Sequence, residues 1–126
     1  MGTRMRTVAV ALAVVLVVPL IVATAALVYA ATFDSSVSIN YDRPNFEGQV
    51  SSERDRCERG RTVRVFKQVN GPDRLIGTDQ TNNNGFYSVN KPGAQGSFYA
   101  RVARLEFGGY NNRHVCLGDT SGTIGV

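Results

Sequence analysis

The sequence contains no tryptophan, only one histidine, two methionines and two cysteines among its 126 residues. A single histidine, His114, cannot supply a metal site that needs two or more histidine ligands. The two cysteines are far apart and form no Cys-x-x-Cys motif, which is the usual spacing of a redox or zinc site. No Asn-x-Ser/Thr sequence occurs, so N-glycosylation is not expected. The residue supply therefore predicts neither a metal site nor a bound cofactor.

Residues 8–28 lack any charged side chain and form one apolar run. Arg4 and Arg6 precede the run and small residues follow it, which is the order of regions in a secretory signal peptide. The run is also long enough for a membrane helix, because about 20 apolar residues span the bilayer core. We expect a signal helix here, or an N-terminal membrane anchor if the segment is not cleaved. No other segment is expected to contact a membrane.

Two positions fit cleavage of a signal peptide, one between Ala30 and Ala31 and an earlier one after Ala25. We expect residues 1–31 to be the signal peptide or anchor and residues 32–126 to form a single exported domain. A domain of about 95 residues buries one compact core, so a second domain is not expected. The predicted location is secreted or extracytoplasmic, with a tether to the membrane if the first segment is retained.

The formal net charge of the chain is +4, but two of its 14 cationic residues lie before residue 32 and all ten acidic residues lie after it. The exported part therefore carries +2. Acidic residues at positions 53, 55 and 58 lie among five closely spaced arginines, namely Arg54, Arg56, Arg59, Arg61 and Arg64. A nucleic-acid surface needs cationic side chains without such compensation. We expect a solvated, charged loop and strand start here, and no nucleic-acid partner.

After residue 31 no segment repeats apolar residues at helical spacing, and all but one of the 13 glycines lie in this part. Alternation of apolar and polar residues predicts strands over residues 36–41, 46–52, 61–69, 75–81, 86–89, 97–106, 113–117 and 123–126. Glycine, proline and asparagine separate these segments, as expected of turns. Seven or eight short strands with such spacing predict an all-β, antiparallel sandwich.

The same alternation predicts which side chains face the core. Apolar or small residues recur at every second position in three of the strands, and polar residues lie between them. The residues expected inside are Phe46, Gly48, Val50, Val63, Val65, Phe98, Ala100 and Val102. Since tryptophan is absent, valine, phenylalanine and tyrosine must supply most of the core volume.

Several of these motifs, in this order, resemble the carboxypeptidase regulatory-like domains. The residues that carry the resemblance are Phe46-x-Gly48-x-Val50, Gly60-Arg61-x-Val63-x-Val65, Gly77-Thr78-Asp79, Thr81-Asn82, Gly85-Phe86-Tyr87-x-Val89 and Gly96-x-Phe98-Tyr99-Ala100-x-Val102. The hairpin of that family has aspartate where this chain has Asn82. The resemblance covers residues 46–126 and implies a prealbumin-like (transthyretin-like) sandwich of about seven strands, with an immunoglobulin-like sandwich as the alternative. Such modules accompany enzymes, adhesins or transporters, so the resemblance implies a fold rather than an activity.

Cys57 and Cys116 are the only cysteines, an even number in a chain expected to be exported. We expect them to form a structural disulfide that ties a loop to a late strand. A bond between residues so far apart in sequence would contribute about 4 kcal/mol by restricting the unfolded chain.

Candidate ligand-binding residues are few. Tyr110, Asn111 and Asn112 follow two glycines in an expected loop, where an aromatic ring and amide groups could contact a sugar. His114 has no identifiable nucleophile or acid partner in the sequence and is expected to lie at the surface of a strand.

We therefore expect an exported, non-catalytic module with a structural or interaction role. A carbohydrate- or small-ligand-binding module that uses loop aromatics is the alternative, and a small hydrolase is a third, weaker hypothesis. The expected partner is a protein or a glycan in the cell envelope or outside the cell.

Overall fold

The computed structural model describes Gly2 and residues 29–126, so residues 8–28 and the expected signal helix lie outside the described residues. The described chain is all-β, as predicted, and contains one short 3-10 turn at Asp55–Cys57. Its strands are β1 (Tyr29–Phe33), β2 (Ser35–Val37), β3 (Asn40–Asp42), β4 (Asn45–Ser52), β5 (Thr62–Lys67), β6 (Arg74–Gln80), β7 (Phe86–Asn90), β8 (Ser97–Val102), β9 (Leu105–Gly109), β10 (Asn112–Cys116), β11 (Asp119–Thr120) and β12 (Ile124–Gly125). Within the described residues, no helix is long and apolar enough to span a membrane.

The strands form three sheets. In the first sheet, β4 lies in the centre, with β2 and β3 on one side and β7 on the other. The second sheet has the order β11-β8-β5-β6, and β12 also pairs with β8. In the third sheet, β10 lies between β1 and β9. All pairings are antiparallel except that of β1 with β10, and the arrangement is consistent with a sandwich.

The core lies between the first and second sheets. Phe46 of β4 and Phe98 of β8 are fully buried, and their ring centroids are 4.6 Å apart. Val63 and Val65 of β5 are buried on the same side as Phe98, while Arg64 between them is exposed. The alternation in the sequence therefore predicted the inward face of these strands correctly, because side chains of a strand point to opposite sides in turn.

A single strand is predicted over residues 36–41, but the structure divides this segment into two strands, β2 and β3. At the division, the Ser38 hydroxyl accepts a hydrogen bond from the Gln49 N–H group at 3.0 Å, in place of a backbone carbonyl. The Tyr87 hydroxyl donates to the Ser38 carbonyl oxygen at 2.7 Å. The Ser38 N–H group still donates to the Gln49 carbonyl oxygen at 3.0 Å, so one backbone bond and two side-chain bonds fix the chain where the strand is divided.

The predicted strand over residues 97–106 and the loop over residues 108–112 are also wrong. The chain leaves the second sheet after Val102 and begins β9 in the third sheet at Leu105. A change of partner sheet leaves no trace in apolar alternation, so one strand was predicted where two exist. The described residues form twelve strands rather than seven or eight, because two predicted strands are each divided and because β1 and the short β11 were not predicted.

Strand β1 begins close to the end of the apolar run in the sequence. It pairs in parallel with β10, so that Ala30 lies opposite Arg113 and Ala31 opposite His114. The expected cleavage position between Ala30 and Ala31 therefore lies within a paired strand. The domain boundary at residues 31 and 32 stays a prediction.

Candidate functional site

Cys57 and Cys116 form a disulfide bond, in agreement with the pairing expected from the sequence. Their Cα atoms are 5.5 Å apart and both residues are fully buried. Cys57 ends the 3-10 turn and Cys116 ends β10, so the bond attaches the arginine-rich loop to the third sheet. Disulfides persist in non-reducing compartments, which indicates a location outside the cytoplasm.

Arg61 is buried, contrary to the expectation of a solvated arginine stretch, and is fully shielded from solvent. One terminal nitrogen donates to the Ser35 hydroxyl at 2.8 Å and to the Cys57 carbonyl at 2.6 Å. The other donates to the carbonyl oxygens of Ala103 at 2.8 Å and Leu117 at 2.9 Å. Burial lowers the pKa of Arg61 because it disfavours the charged form. Since the planar guanidinium reaches all four acceptors, it joins four separate segments of the chain.

Tyr110, Asn111 and Asn112 lie at the tip of the β9–β10 hairpin and not in a long loop. Only Tyr110 and Asn111 form the turn, because Asn112 begins β10 and lies opposite Gly109. The Tyr110 side chain is 90% exposed. The tip therefore presents a ring that projects into solvent, at the edge of a pocket whose lining includes Glu106, Phe107 and Arg113.

A groove is present on the outer face of the first sheet, and it is not among the sites expected from the sequence. Its volume is about 640 Å³. Two rows of side chains cross the strands here, Ser38-Gln49-Phe86 and Asn40-Glu47-Ser88. Phe86 is 50% exposed. Side chains on the same face of one strand are about 7 Å apart, and neighbouring strands are about 5 Å apart. This face therefore has the dimensions of a sugar ring. We call it the β4–β7 groove.

The inner side of the first sheet supports this face. A Cβ atom at Gly48 would overlap the Ser38 carbonyl oxygen and would lie 2.7 Å from the Tyr87 ring, so only glycine fits between them. The Tyr87 ring lies directly under Gly48, and burial raises the pKa of its hydroxyl well above the usual value. The backbone on both sides of β4 is thereby held in place.

The turn between β6 and β7 forms the wall of the groove. The Asn82 side-chain oxygen accepts hydrogen bonds from the N–H groups of Asn84 at 2.9 Å and Phe86 at 3.0 Å. One carboxylate oxygen of Asp79 accepts a hydrogen bond from the Ser88 N–H group at 2.9 Å. The carboxylate thus replaces the carbonyl oxygen that a neighbouring strand would offer to this N–H group. These bonds determine where the Phe86 ring enters the groove.

His114 was expected to lie at the surface of its strand. In the structure it lies between two aromatic rings. Its ring centroid is 6.1 Å from that of Phe33 and 5.0 Å from that of Phe107, and the rings are stacked. In the described part of the chain, no group of three histidine, cysteine or acidic residues lies together as metal ligands would.

One signal in the sequence could have revealed the groove. If Tyr87 and Val89 face the core, then Phe86 and Ser88 must face outward on the same strand. An outward phenylalanine beside polar residues indicates a contact surface, and such a residue can lie on a strand as well as in a loop.

Comparison with protein-family models, with curated proteins and with solved structures finds no match for this chain. The disulfide and the β4–β7 groove are the described features of this chain that bear on its location and on ligand binding.

Proposed function

We propose that this chain is an exported, non-catalytic binding module with a prealbumin-like sandwich fold, similar to the carboxypeptidase regulatory-like domains. The hairpin at Thr81-Asn82 and Gly85-Phe86 supports the fold, because Asn82 bonds the turn through its side chain and Gly85 has a φ of +84°. The apolar run before residue 29 and the disulfide support export. The first segment acts as a signal peptide or, if it is retained, as a tether.

The ligand proposed for the β4–β7 groove is a saccharide. The observation that carries this is the half-exposed Phe86 ring beside the amide of Gln49 and the carboxylate of Glu47. A sugar ring has an apolar face of C–H groups, which packs on an aromatic ring, and hydroxyl groups around its edge. Side-chain amides and carboxylates bind hydroxyl groups well, since they offer strong acceptors. The proposed carbohydrate-binding module therefore uses Phe86, and not Tyr110, as the aromatic residue that contacts the sugar.

The non-catalytic part of the proposal is supported by the surroundings of His114. The imidazole stacks on the Phe107 ring, and its Nδ1 atom is buried with no hydrogen-bond partner among the described residues. A general base of a hydrolase would instead lie within hydrogen-bond distance of a serine or cysteine nucleophile.

The test is a glycan array probed with the purified exported protein and two matched variants. Phe86→Ala and Tyr110→Ala each remove one exposed ring. We expect Phe86→Ala to weaken saccharide binding about tenfold, the equivalent of about 1.4 kcal/mol of lost stacking, and Tyr110→Ala to leave it unchanged. Glu47→Gln, which removes the charge but keeps the shape, tests the polar contact.

Two results would contradict the proposal. One is an array on which the wild-type protein binds no saccharide. The other is an equal loss of binding in Tyr110→Ala and Phe86→Ala, which would move the site away from the groove. Circular dichroism of both variants checks that the fold is retained.

A further inference from the structure

Two arginine side chains of the loop before β5 converge on a single aromatic ring. The guanidinium carbon of Arg56 is 4.9 Å from the centre of the Phe107 ring, and that of Arg54 is 5.8 Å from the same point. Arg54 also lies 5.2 Å from the centre of the Phe33 ring. The negative faces of aromatic rings attract cations, and contacts at these distances hold a guanidinium in place. Both guanidinium groups therefore lie within about 6 Å of the centre of the same ring.

The rings belong to one face of the third sheet. Phe33, His114 and Phe107 come from the three strands of the third sheet and are stacked in one row across it. We call them the aromatic row. The loop above is fixed as well, because Cys57 follows directly after Arg56 and is bonded to Cys116 of β10. The loop is thus bonded to β10, and the two rings of the cation–π contacts lie on β1 and β9, the strands on either side of β10.

The two guanidinium groups are not neutralised by acidic side chains. Among residues 29–126, the ion pairs within 4.0 Å are those of Glu106 with Arg104 and with Arg113. The acidic residues beside these arginines in the sequence, Glu53 and Asp55, were expected to reduce the local charge. They make no ion pair in the described part of the chain. The hydrogen-bond donors of Arg54 and Arg56 are therefore available for an anion.

We propose that Arg54 and Arg56 form a binding site for a phosphate group. A guanidinium presents two parallel N–H donors that match the oxygens of a phosphate, and two such groups can hold one phosphate from two sides. Contacts with the rings restrict both side chains before binding, so less rotational freedom is lost when the anion binds. The site lies on the third sheet, apart from the β4–β7 groove, and does not depend on a saccharide ligand.

The test uses the purified exported protein at low ionic strength, with inorganic phosphate as the probe and NMR shifts of the arginine side chains as the readout. Arg54→Gln/Arg56→Gln removes two charges, and Arg59→Gln/Arg64→Gln removes the same number from exposed positions elsewhere. We expect about a tenfold loss of phosphate affinity in the first double variant and less than about twofold in the second.

Phe107→Leu and Phe107→Tyr separate the role of the ring from that of charge. Neither changes the net charge, but leucine removes the cation–π contacts and tyrosine keeps them. We expect about threefold weaker phosphate binding with leucine and unchanged binding with tyrosine. Equal losses in the two arginine double variants, or no phosphate binding by the wild-type protein, would overturn the proposal.

Vesicles identify the source of the phosphate. Binding to phosphatidylglycerol vesicles that is stronger than binding to free phosphate, and that is lost in Arg54→Gln/Arg56→Gln, would assign the site to a lipid headgroup. Binding of free phosphate with no preference for vesicles would assign it to a soluble phosphate ligand. Vesicle binding that both arginine double variants weaken equally would show general charge attraction and overturn the proposal.

Discussion

Arg61 is the residue whose role differs most from its expected one. Its side chain is the largest that is fully buried in the described chain, and it carries a charge. Carbonyl oxygens and one hydroxyl bind this charge instead of a carboxylate. A buried cation is costly unless all its surroundings are polar and well placed. We infer that Arg61 holds together the segments that connect the second and third sheets.

Replacing Arg61 with lysine is therefore expected to lower the free energy of unfolding by at least about 3 kcal/mol. An ammonium group keeps the charge but cannot reach acceptors on four segments, and each buried carbonyl left unpaired costs about 1 to 3 kcal/mol. Arg64→Lys is the matched control, because Arg64 is exposed on the same strand. Urea denaturation measures both. Equal midpoints for the two variants would show that the buried hydrogen bonds contribute little.

The second prediction at the residue scale concerns Glu106. A hydrogen bond from Arg113, aided by the nearby charges of Arg113 and Arg104, holds the pKa of Glu106 below its usual value. Because the folded-state pKa is the lower one, the ion pairs stabilise the fold above the unfolded-state pKa. This contribution disappears as the pH falls through the lowered pKa. We expect an NMR titration of the Glu106 carboxyl carbon to show this low pKa, and Arg113→Gln to raise it. Arg101→Gln, on another sheet, should leave it unchanged.

At the scale of elements, the turn between β6 and β7 combines fold and site. Asn82 accepts two backbone hydrogen bonds, and Gly85 has a positive φ and lies so close to the Val50 carbonyl that a Cβ atom would overlap it. Both residues act within their own turn, so this turn could be recognised from the sequence. The exposed position of the following Phe86 depends instead on which side of β7 faces the core.

Asn82→Ala is expected to destabilise the protein by about 1 kcal/mol, since two backbone N–H groups at a solvent-exposed turn lose their acceptor. Asn82→Asp should lie within about 0.5 kcal/mol of the wild type, because a carboxylate accepts the same bonds. Asn83→Ala is the control, as the Asn83 side chain is exposed in the same turn. Thermal unfolding of the three variants compares them. Similar losses in Asn82→Ala and Asn83→Ala would refute the special role of Asn82.

At the scale of the whole molecule, the third sheet makes no strand pairing with the other two sheets in the described chain. Its strands β1, β9 and β10 pair only with one another among the described strands. The disulfide, the Arg61 hydrogen bonds and the chain connections attach it to the other sheets. A small core leaves little margin, so such links are a large fraction of total stability.

Removing the disulfide with Cys57→Ala/Cys116→Ala should lower the free energy of unfolding by about 4 kcal/mol, because the unfolded chain regains the freedom of a long loop. Denaturation with and without a reductant measures this. Amide exchange should accelerate more in β10 than in β5, since the bond anchors the third sheet directly. Reduction that leaves the unfolding midpoint unchanged would contradict this account.

The predictions from the sequence agree with the structure where the local conformation depends on residues that are close together in the chain. Val63 and Val65 face the core because alternation is a property of a single strand, and Asn82 shapes its turn through bonds to residues two and four positions away. They disagree at Ser38, where strands separate, and after Val102, where the chain changes sheets. Both depend on partners distant in sequence, which a local pattern does not encode.

By itself, the sequence determined the all-β class, the turn residues and the pairing of Cys57 with Cys116, since only two cysteines exist. Only the tertiary structure decided that Arg61 is buried, that Phe86 borders a groove and that Arg54 and Arg56 meet over Phe107. The physical reason is common to all three. A charged or aromatic side chain can lie in solvent or in a polar, well-packed site, and the difference depends on groups that the folded sheets bring from elsewhere in the chain.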